Sequence, residues 1–283
     1  MDEARRVEGN DQFMPAPALE TRDLTVRFGG HVAVDGVSCA FHAGTLTAIV
    51  GPNGAGKTTY FNLISGQLAA SAGEVLLEGA DITRATAAAR ARQGIGRAFQ
   101  ITNLFPNLST FENVRLAVQA RVRARAASGL GRALRELTTR WDHDVAVLAR
   151  AQDYLVEVNL AGKRDVVVAA LSHGDKRKLE VALMMALEPR IFMFDEPTAG
   201  MSVDEVPVVL DLIQRLKARG DATILLVEHK MDVVRSLADR IVVLHNGRLV
   251  ADGLPADVIA SPIVQEAYLG ASATAGVGGS HHG

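Results

Sequence analysis

Cysteine is almost absent from this chain. Cys39 is the only one, which excludes an internal disulfide framework. Its apolar neighbours make it a small buried hydrophobe. An excess of one charge is also lacking: 30 lysines and arginines stand against 32 acids, a net charge of -2. That balance argues against a nucleic-acid protein and leaves room only for a local basic patch. No apolar run approaches the roughly 18 residues of a membrane span, and Met1 to Arg6 lacks the apolar core of a signal peptide. The expectation is a soluble, cytoplasmic chain whose membrane role, if any, comes through a partner. There is one tryptophan, Trp141, and no internal repeat. What the chain does have is 48% apolar residues over 283 positions, enough for one large domain or two small ones with a sizeable core.

The stretch that organises the rest is Gly51-Pro52-Asn53-Gly54-Ala55-Gly56-Lys57-Thr58. It follows the apolar run Leu46 to Val50 and precedes Thr59 to Ile64, which reads as a helix. Strand, glycine-rich turn, Lys-Thr and helix form the context that a P-loop requires. The glycines let the backbone curl so that its N–H groups face phosphate oxygens, and the helix adds its positive N-terminal end. Lys57 is expected to reach the β- and γ-phosphates, and the Thr58 hydroxyl to ligate Mg²⁺.

Residues 1–18 read as a loose leader. Leu19 to Phe28 alternates as a strand with one irregularity, Gly29-Gly30 turns the chain, and His31 to Phe41 reads as a second strand. Phe28 has two readings, a ring stacked on adenine or core packing. After the P-loop helix come a short strand and turn over Gly73 to Gly79, a helix over Ala85 to Gln93, and a strand over Ile95 to Phe99. Gln100, at the end of that strand, is placed to aim its amide at Mg²⁺ or at attacking water. Leu104 to Leu108 reads as an exposed apolar loop. Ser109 and Glu112 form a capping box for a helix beginning near Thr110. Arg121, Arg123, Arg125, Arg132, Arg135 and Arg140 then line a basic helical face, read either as a solvated surface or as a contact with lipid headgroups or an acidic partner. Trp141 is expected to pin this segment.

Ser172 is expected to cap a largely buried helix starting after Gly174, with Leu179, Val181, Leu183 and Met184 as apolar positions. A serine, a glycine and a helix N-terminus make a second anion site, which two facing copies would need and one P-loop would not. Ile191 to Asp195 and Glu196 match a Walker B strand: Asp195 would hold Mg²⁺, and Glu196 would polarise or deprotonate the attacking water. Ser202 and Glu205 resemble a second capping box, followed by an apolar stripe of Val206, Leu210, Ile213 and Leu216 that Gly220 ends; Pro207 bends or delays the first turn. Ala222 to Val227 is a strand ending at Glu228-His229, and His229 is placed to contact the γ-phosphate and position water. A hairpin turns at Asn246-Gly247, two short helices follow near Ala256 and Ile263, and the tail from Ala271 reads as disordered.

Together these segments resemble the ATP-binding subunit of ABC transporters, over about residues 19 to 270. The resemblance implies an α/β fold: a P-loop NTPase, ABC-type nucleotide-binding domain with a RecA-like core, an antiparallel β subdomain and an α-helical subdomain over about residues 101–190. It implies that Phe28 is the adenine-facing aromatic and Gln100 the Q-loop glutamine. It makes Pro197 to Met201 the start of the D-loop and His229 the switch histidine. It also implies that Gly51 to Thr59 bind ATP with Mg²⁺ on Thr58, Gln100 and Asp195. In that family two domains pair head to tail, so Ser172 and Gly174 would act on the partner's ATP.

A finer likeness is to the branched-chain (hydrophobic) amino-acid importer ATPases. It is carried by Arg27-Phe-Gly-Gly30, Ala98-Phe-Gln100, Thr198-Ala-Gly-Met201, Glu228-His-Lys-Met-Asp232 and Ala267-Tyr-Leu-Gly270. It implies two permeases, a second ATPase (paralogue or self), an external solute-binding protein reached through the permeases, no nucleic acid, and a peripheral position on the cytoplasmic face of the cell membrane. Urea or short-amide importers share much of the pattern, and a soluble non-transport ABC ATPase is the rival from another class. Asp175 departs from the wider family, which usually has glutamine there. An acid in a first helical turn suits the helix dipole and would repel a phosphate if it faced one, so Asp175 is expected to point away.

Overall fold

Alternating apolar residues put Leu19–Phe28 (β1) and His31–Phe41 (β2) into an antiparallel ribbon, with Phe28 opposite His31 at the turn. The irregularity expected in β1 is a register shift between Thr21 and Leu24, with Asp23 at φ +45°. Ala72–Leu77 (β4) pairs with the other edge of β1, and the two-residue Ala80–Asp81 (β5) closes a four-stranded antiparallel sheet, β2-β1-β4-β5. The computed structural model describes residues 16–98, 104–126 and 145–266. Gln100, Trp141 and the tail from Ala271 lie outside these, as do Arg132, Arg135 and Arg140 of the basic series.

The second sheet has the order β10-β9-β3-β8-β7-β6. Leu46–Val50 (β3), Ile95–Ala98 (β6), Ile191–Asp195 (β7), Thr223–Val227 (β8) and Arg240–His245 (β9) are parallel, and Arg248–Gly253 (β10) is antiparallel to β9. β3, β7 and β8 are buried along their whole length, which explains their continuous rather than alternating apolar runs. The turn between β9 and β10 has Asn246 at φ +50° and Gly247 at φ +78°, as a type I′ turn requires.

Lys57–Ser65 (α1) leaves the P-loop, and its C-terminal end is held by an arginine from Ala87–Arg92 (α2). Arg90, 2% exposed, donates from Nη1 to the carbonyls of Leu63 and Ile64 at 2.7 and 2.6 Å, and from its other nitrogens to Thr83 and Ala85. Carbonyls that a helix end leaves orphaned are thus satisfied by a fixed cation. The capping box of Thr110–Ala126 (α3) is present: Ser109 N–H donates to Glu112 Oε2 and Glu112 N–H to Ser109 Oγ, both at 3.1 Å. Val145–Glu157 (α4) and His173–Leu187 (α5) pack on α3 through Val114, Val118, Val147, Ala151, Leu155 and Leu179.

Four expectations are corrected. Leu104 is buried, while Phe105 and Pro106 of its loop are exposed; Asn113 hydrogen-bonds both backbone groups of Phe105 and pins the loop. Arg121 is half-buried rather than fully solvated, with its Nε 3.6 Å from Glu188 Oε2, while Arg123 is exposed. In Val206–Ala218 (α6) the buried face is Val209, Leu212, Ile213 and Leu216, which keeps Ile213 and Leu216 of the expected stripe and replaces Val206 and Leu210 by Val209 and Leu212. Ser202 and Glu205 form only half a box, with Ser202 N–H donating to Glu205 Oε2 at 3.3 Å. Glu205 itself is the cap and Pro207 lies in the first turn, where its missing N–H costs nothing. The helix therefore starts late. Met231–Leu237 (α7) and Pro255–Ala260 (α8) complete the named helices of the described residues.

Candidate functional site

The C-terminal ends of β3, β7 and β8 lie side by side in the parallel sheet. Each ends in a group already singled out from the sequence: β3 in the P-loop, β7 in Asp195-Glu196, β8 in Glu228-His229. Open parallel sheets gather ligand-binding groups at this edge.

The P-loop is shaped by close backbone approach. A Cβ on Gly51 would lie 2.1 Å from the Leu244 carbonyl oxygen, and one on Gly56, at φ +95°, would lie 2.5 Å from that of Ala33. Neither position can carry a side chain. Lys57 Nζ donates to the carbonyls of Gly51 and Pro52 at 2.8 and 2.9 Å. Burial lowers its pKa, and the charges of Glu196 and Asp195 oppose that shift, so both acids act on the P-loop lysine. Thr58 is exposed at the start of α1.

Asp195 is buried and bonded through Oδ2 to Arg97 Nη2 at 2.7 Å. Burial raises its pKa, and the Arg97 charge works against that. Glu196 follows at φ +51°, a left-handed conformation that costs a non-glycine residue strain and clusters at functional sites. Its N–H is anchored on the Val227 carbonyl at 2.9 Å. That anchor turns the side chain to His229, whose Nε2 lies 2.6 Å from Glu196 Oε1. Glu228 holds the histidine's backbone. It is 3% exposed and accepts from Thr198 Oγ1 at 2.6 Å, Thr198 N–H at 3.2 Å and His229 N–H at 3.0 Å. The segment after Walker B and the histidine turn are thereby tied together.

Phe28 is 51% exposed, which excludes the core-packing reading and leaves the ring free for a ligand.

The second anion site expected from the sequence falls at the N-terminal end of α5. Ser172 caps α5, accepting from Asp175 N–H at 3.2 Å, and the helix starts at His173, two residues earlier than expected. Asp175 does not point away. It is 5% exposed and turns back to accept from Ser172 Oγ at 2.9 Å. Lys163 pairs with the same carboxylate, and Lys178 Nζ lies 3.5 Å from its other oxygen. Burial pushes this carboxyl up, but the hydrogen bonds from Lys163 and Ser172 prevail and hold it below the usual carboxylate range. The acid is neutralised by its neighbours. A Cβ on Gly174 would meet Glu205 Oε1 at 1.9 Å, so the end of that side chain would have to move.

Arg97 and Lys163 were not singled out from the sequence, and Glu228 was named beside His229 without a role of its own. Their partners lie 98, 30 and 12 positions away, and only a lone arginine inside a buried strand could have hinted at one of them.

This fold, with a P-loop, a strand-end acid pair and a strand-end histidine on one sheet edge, defines an ATP-binding cassette. The chain belongs to the ABC transporter family, whose model matches residues 34–199, while that of the branched-chain amino acid ATP-binding cassette transporters matches residues 248–274. It is 36% identical over 259 residues to the high-affinity branched-chain amino acid transport ATP-binding protein BraF of Pseudomonas aeruginosa, covering 91% of this chain and 99% of that protein. It is 35% identical over 257 residues to the corresponding LivG of Escherichia coli, with the same coverage. The crystal structure of an ATP-binding cassette of an ABC transporter in its ADP conformation superimposes with a TM-score of 0.74 at 29% identity, covering 90% of this chain and all of that one. Among the described residues no helix is long and apolar enough to cross a membrane.

Proposed function

We propose that the chain is the ATP-hydrolysing subunit of an importer for branched-chain or other hydrophobic amino acids. The observation that carries the chemistry is the 2.6 Å contact of His229 Nε2 with Glu196 Oε1. It holds a general base at the end of β7 and a second proton-bearing group at the end of β8. Glu196 takes the proton of the attacking water, and His229 orients the carboxylate and meets the γ-phosphate. Lys57 and the backbone N–H groups of Gly51 to Thr59 bind the phosphates, and the exposed ring of Phe28 stacks on adenine. Ser172 and Gly174 serve the ATP of a facing subunit, whether a second copy or a paralogue.

The residues present suit Mg²⁺ arriving with the nucleotide. Thr58 offers a hydroxyl and Asp195 one free carboxylate oxygen, while no cluster of three or more His, Cys, Asp or Glu occurs among the described residues. A hard cation that keeps waters and phosphate oxygens needs no more than this from the protein. When bound, Mg²⁺ neutralises charge on the β- and γ-phosphates. Gln100 is its third expected ligand.

The transported class rests on the named relatives and on the match of residues 248–274. Closure and reopening of the two ATPases drive two permeases on the cytoplasmic side of the membrane, and an external binding protein delivers the solute. Gentle detergent extraction of the tagged chain from native membranes tests this. Recovery of two multi-span permeases and a second short ATPase is expected. Their binding protein, screened against leucine-like amino acids, urea and amides, then names the solute. Soluble assembly partners without a permease would end the importer reading.

A further inference from the structure

Arg97 projects from the middle of β6 and is only 7% exposed in its side chain, facing Asp195 at 5%. Its Nη2 donates to Asp195 Oδ2 at 2.7 Å. Its Nη1 lies 2.7 Å from Asn62 Oδ1, 2.8 Å from Gln67 Oε1 and 3.0 Å from Ser65 Oγ. The guanidinium carbon stands 5.6 Å from the centre of the buried Phe61 ring. Three acceptors thus crowd one nitrogen, while Nε is buried with no partner.

A buried ion pair is retained at a cost unless its geometry and further hydrogen bonds offset the desolvation. For joining β6 to α1 alone, an apolar residue over Phe61 would serve as well. The arrangement instead does something only a fixed fork of donors can do. One end of the guanidinium is immobilised on α1, the helix that carries Thr58. The other end holds a single oxygen of Asp195, leaving Oδ1 without a protein partner among the described residues.

We propose that Arg97 is a positioning residue for phosphoryl transfer: it pins Asp195 Oδ2 to α1 and so presents Oδ1 to the cation carried by the nucleotide. This rests on the reading of Asp195 as a cation-binding residue. Groups that orient a ligating carboxylate typically govern metal affinity by about 10- to 100-fold.

The test uses the purified full chain with Arg97→Met, Arg97→Lys and Asp195→Asn. Binding of a fluorescent ATP analogue is titrated with Mg²⁺ and measured again in EDTA, alongside thermal unfolding. Arg97→Met should raise the half-saturating Mg²⁺ about 10-fold or more, with affinity in EDTA within about twofold of the parent. Arg97→Lys should recover part of the loss. Asn62→Ala and Gln67→Ala, which release Nη1 without removing the cation, should shift Mg²⁺ in the same direction by less; they decide the matter if Arg97→Met fails to fold. An unchanged Mg²⁺ titration in folded variants overturns the proposal, as does an equal loss of affinity in EDTA, which is the mark of a merely structural arginine. If Asp195→Asn shifts the titration and the arginine variants do not, only this inference fails. If Asp195→Asn shifts nothing, the cation-binding reading of Asp195 falls, and the inference with it.

Discussion

His229 Nε2 and Glu196 Oε1 lie 2.6 Å apart at the ends of neighbouring parallel strands. Replacing Glu196 by Gln keeps the shape and removes the proposed base. Turnover should fall by about 10²- to 10⁴-fold, ATP binding should persist, and an ATP-bound dimer should accumulate on gel filtration. Normal hydrolysis by this variant would falsify the role given to Glu196.

Gly174→Ala separates binding from closure. The new methyl meets the far end of Glu205 at 1.9 Å, a side chain that can move aside, and alanine is the better helix former by up to about 1 kcal/mol. Thermal stability should therefore change little. The anion site proposed at the N-terminal end of α5 would lose its clearance, and hydrolysis should drop by roughly 10²-fold, the size of losing one preorganised donor. ATP binding by the isolated chain should be untouched. Equal activity in this variant means that α5 does not meet a phosphate.

Asp175 offers a pH test. Its folded carboxyl lies below the usual range despite burial, because Lys163 and Ser172 donate to it. The stability it contributes is present above the unfolded carboxylate pKa and is lost as pH falls through the folded value. At neutral pH, Asp175→Asn should cost about 1–2 kcal/mol. The gap between the two unfolding curves should narrow once pH drops below about 4. A gap that stays constant into acid would show that the pair contributes nothing through charge.

Arg90 is a stability prediction far from the chemistry. Arg90→Met leaves the carbonyl of Ile64 without its Arg90 donor and that of Leu63 with only the Gly66 N–H at 3.3 Å, and should cost about 1–3 kcal/mol. Chemical denaturation measures this. A loss below about 0.5 kcal/mol would mean that water replaces the guanidinium freely.

Cys39 should be silent toward thiol reagents in the folded chain. Burial pushes its pKa up to about 12, so almost no thiolate exists at neutral pH. Labelling should track global unfolding. Above the unfolded thiol range of about 8.5, the unfolded chain ionises first, so stability should decline as pH climbs toward 12.

Much of this was legible in the sequence because it is local. The P-loop, the Ser109–Glu112 box and the Asn246-Gly247 turn each need only residues within a few positions of one another. The boundaries of β1 and β2 followed from alternation and a Gly-Gly turn. What escaped depends on distant partners. Nothing near Arg97 announces Asp195, and nothing near Asp175 announces Lys163. In α6 the late start at Val206 was foreseen from Pro207, but the apolar residues Val206, Val208, Val209, Leu210 and Leu212 allow more than one stripe, and only packing selects Val209 and Leu212. Phe28 stayed ambiguous because an aromatic at a strand end fits either a core or a ligand; only its exposure decides.

The turn at Gly247 touches three parts of the chain at once. Its N–H donates to the Ala55 carbonyl at 3.0 Å, its carbonyl accepts from Asp35 N–H at 2.9 Å, and its Cα lies 3.3 Å from where a Cβ on Gly56 would be. The phosphate cradle is therefore finished by residues that leave the ribosome almost two hundred positions after it. Domains begin folding from the N-terminus during synthesis, yet this one cannot complete its cradle until β9 and β10 have emerged. A nascent chain stalled before residue 240 should fail to retain ATP, whereas one released after β10 should capture it. Competence to bind ATP thus marks a nearly complete chain.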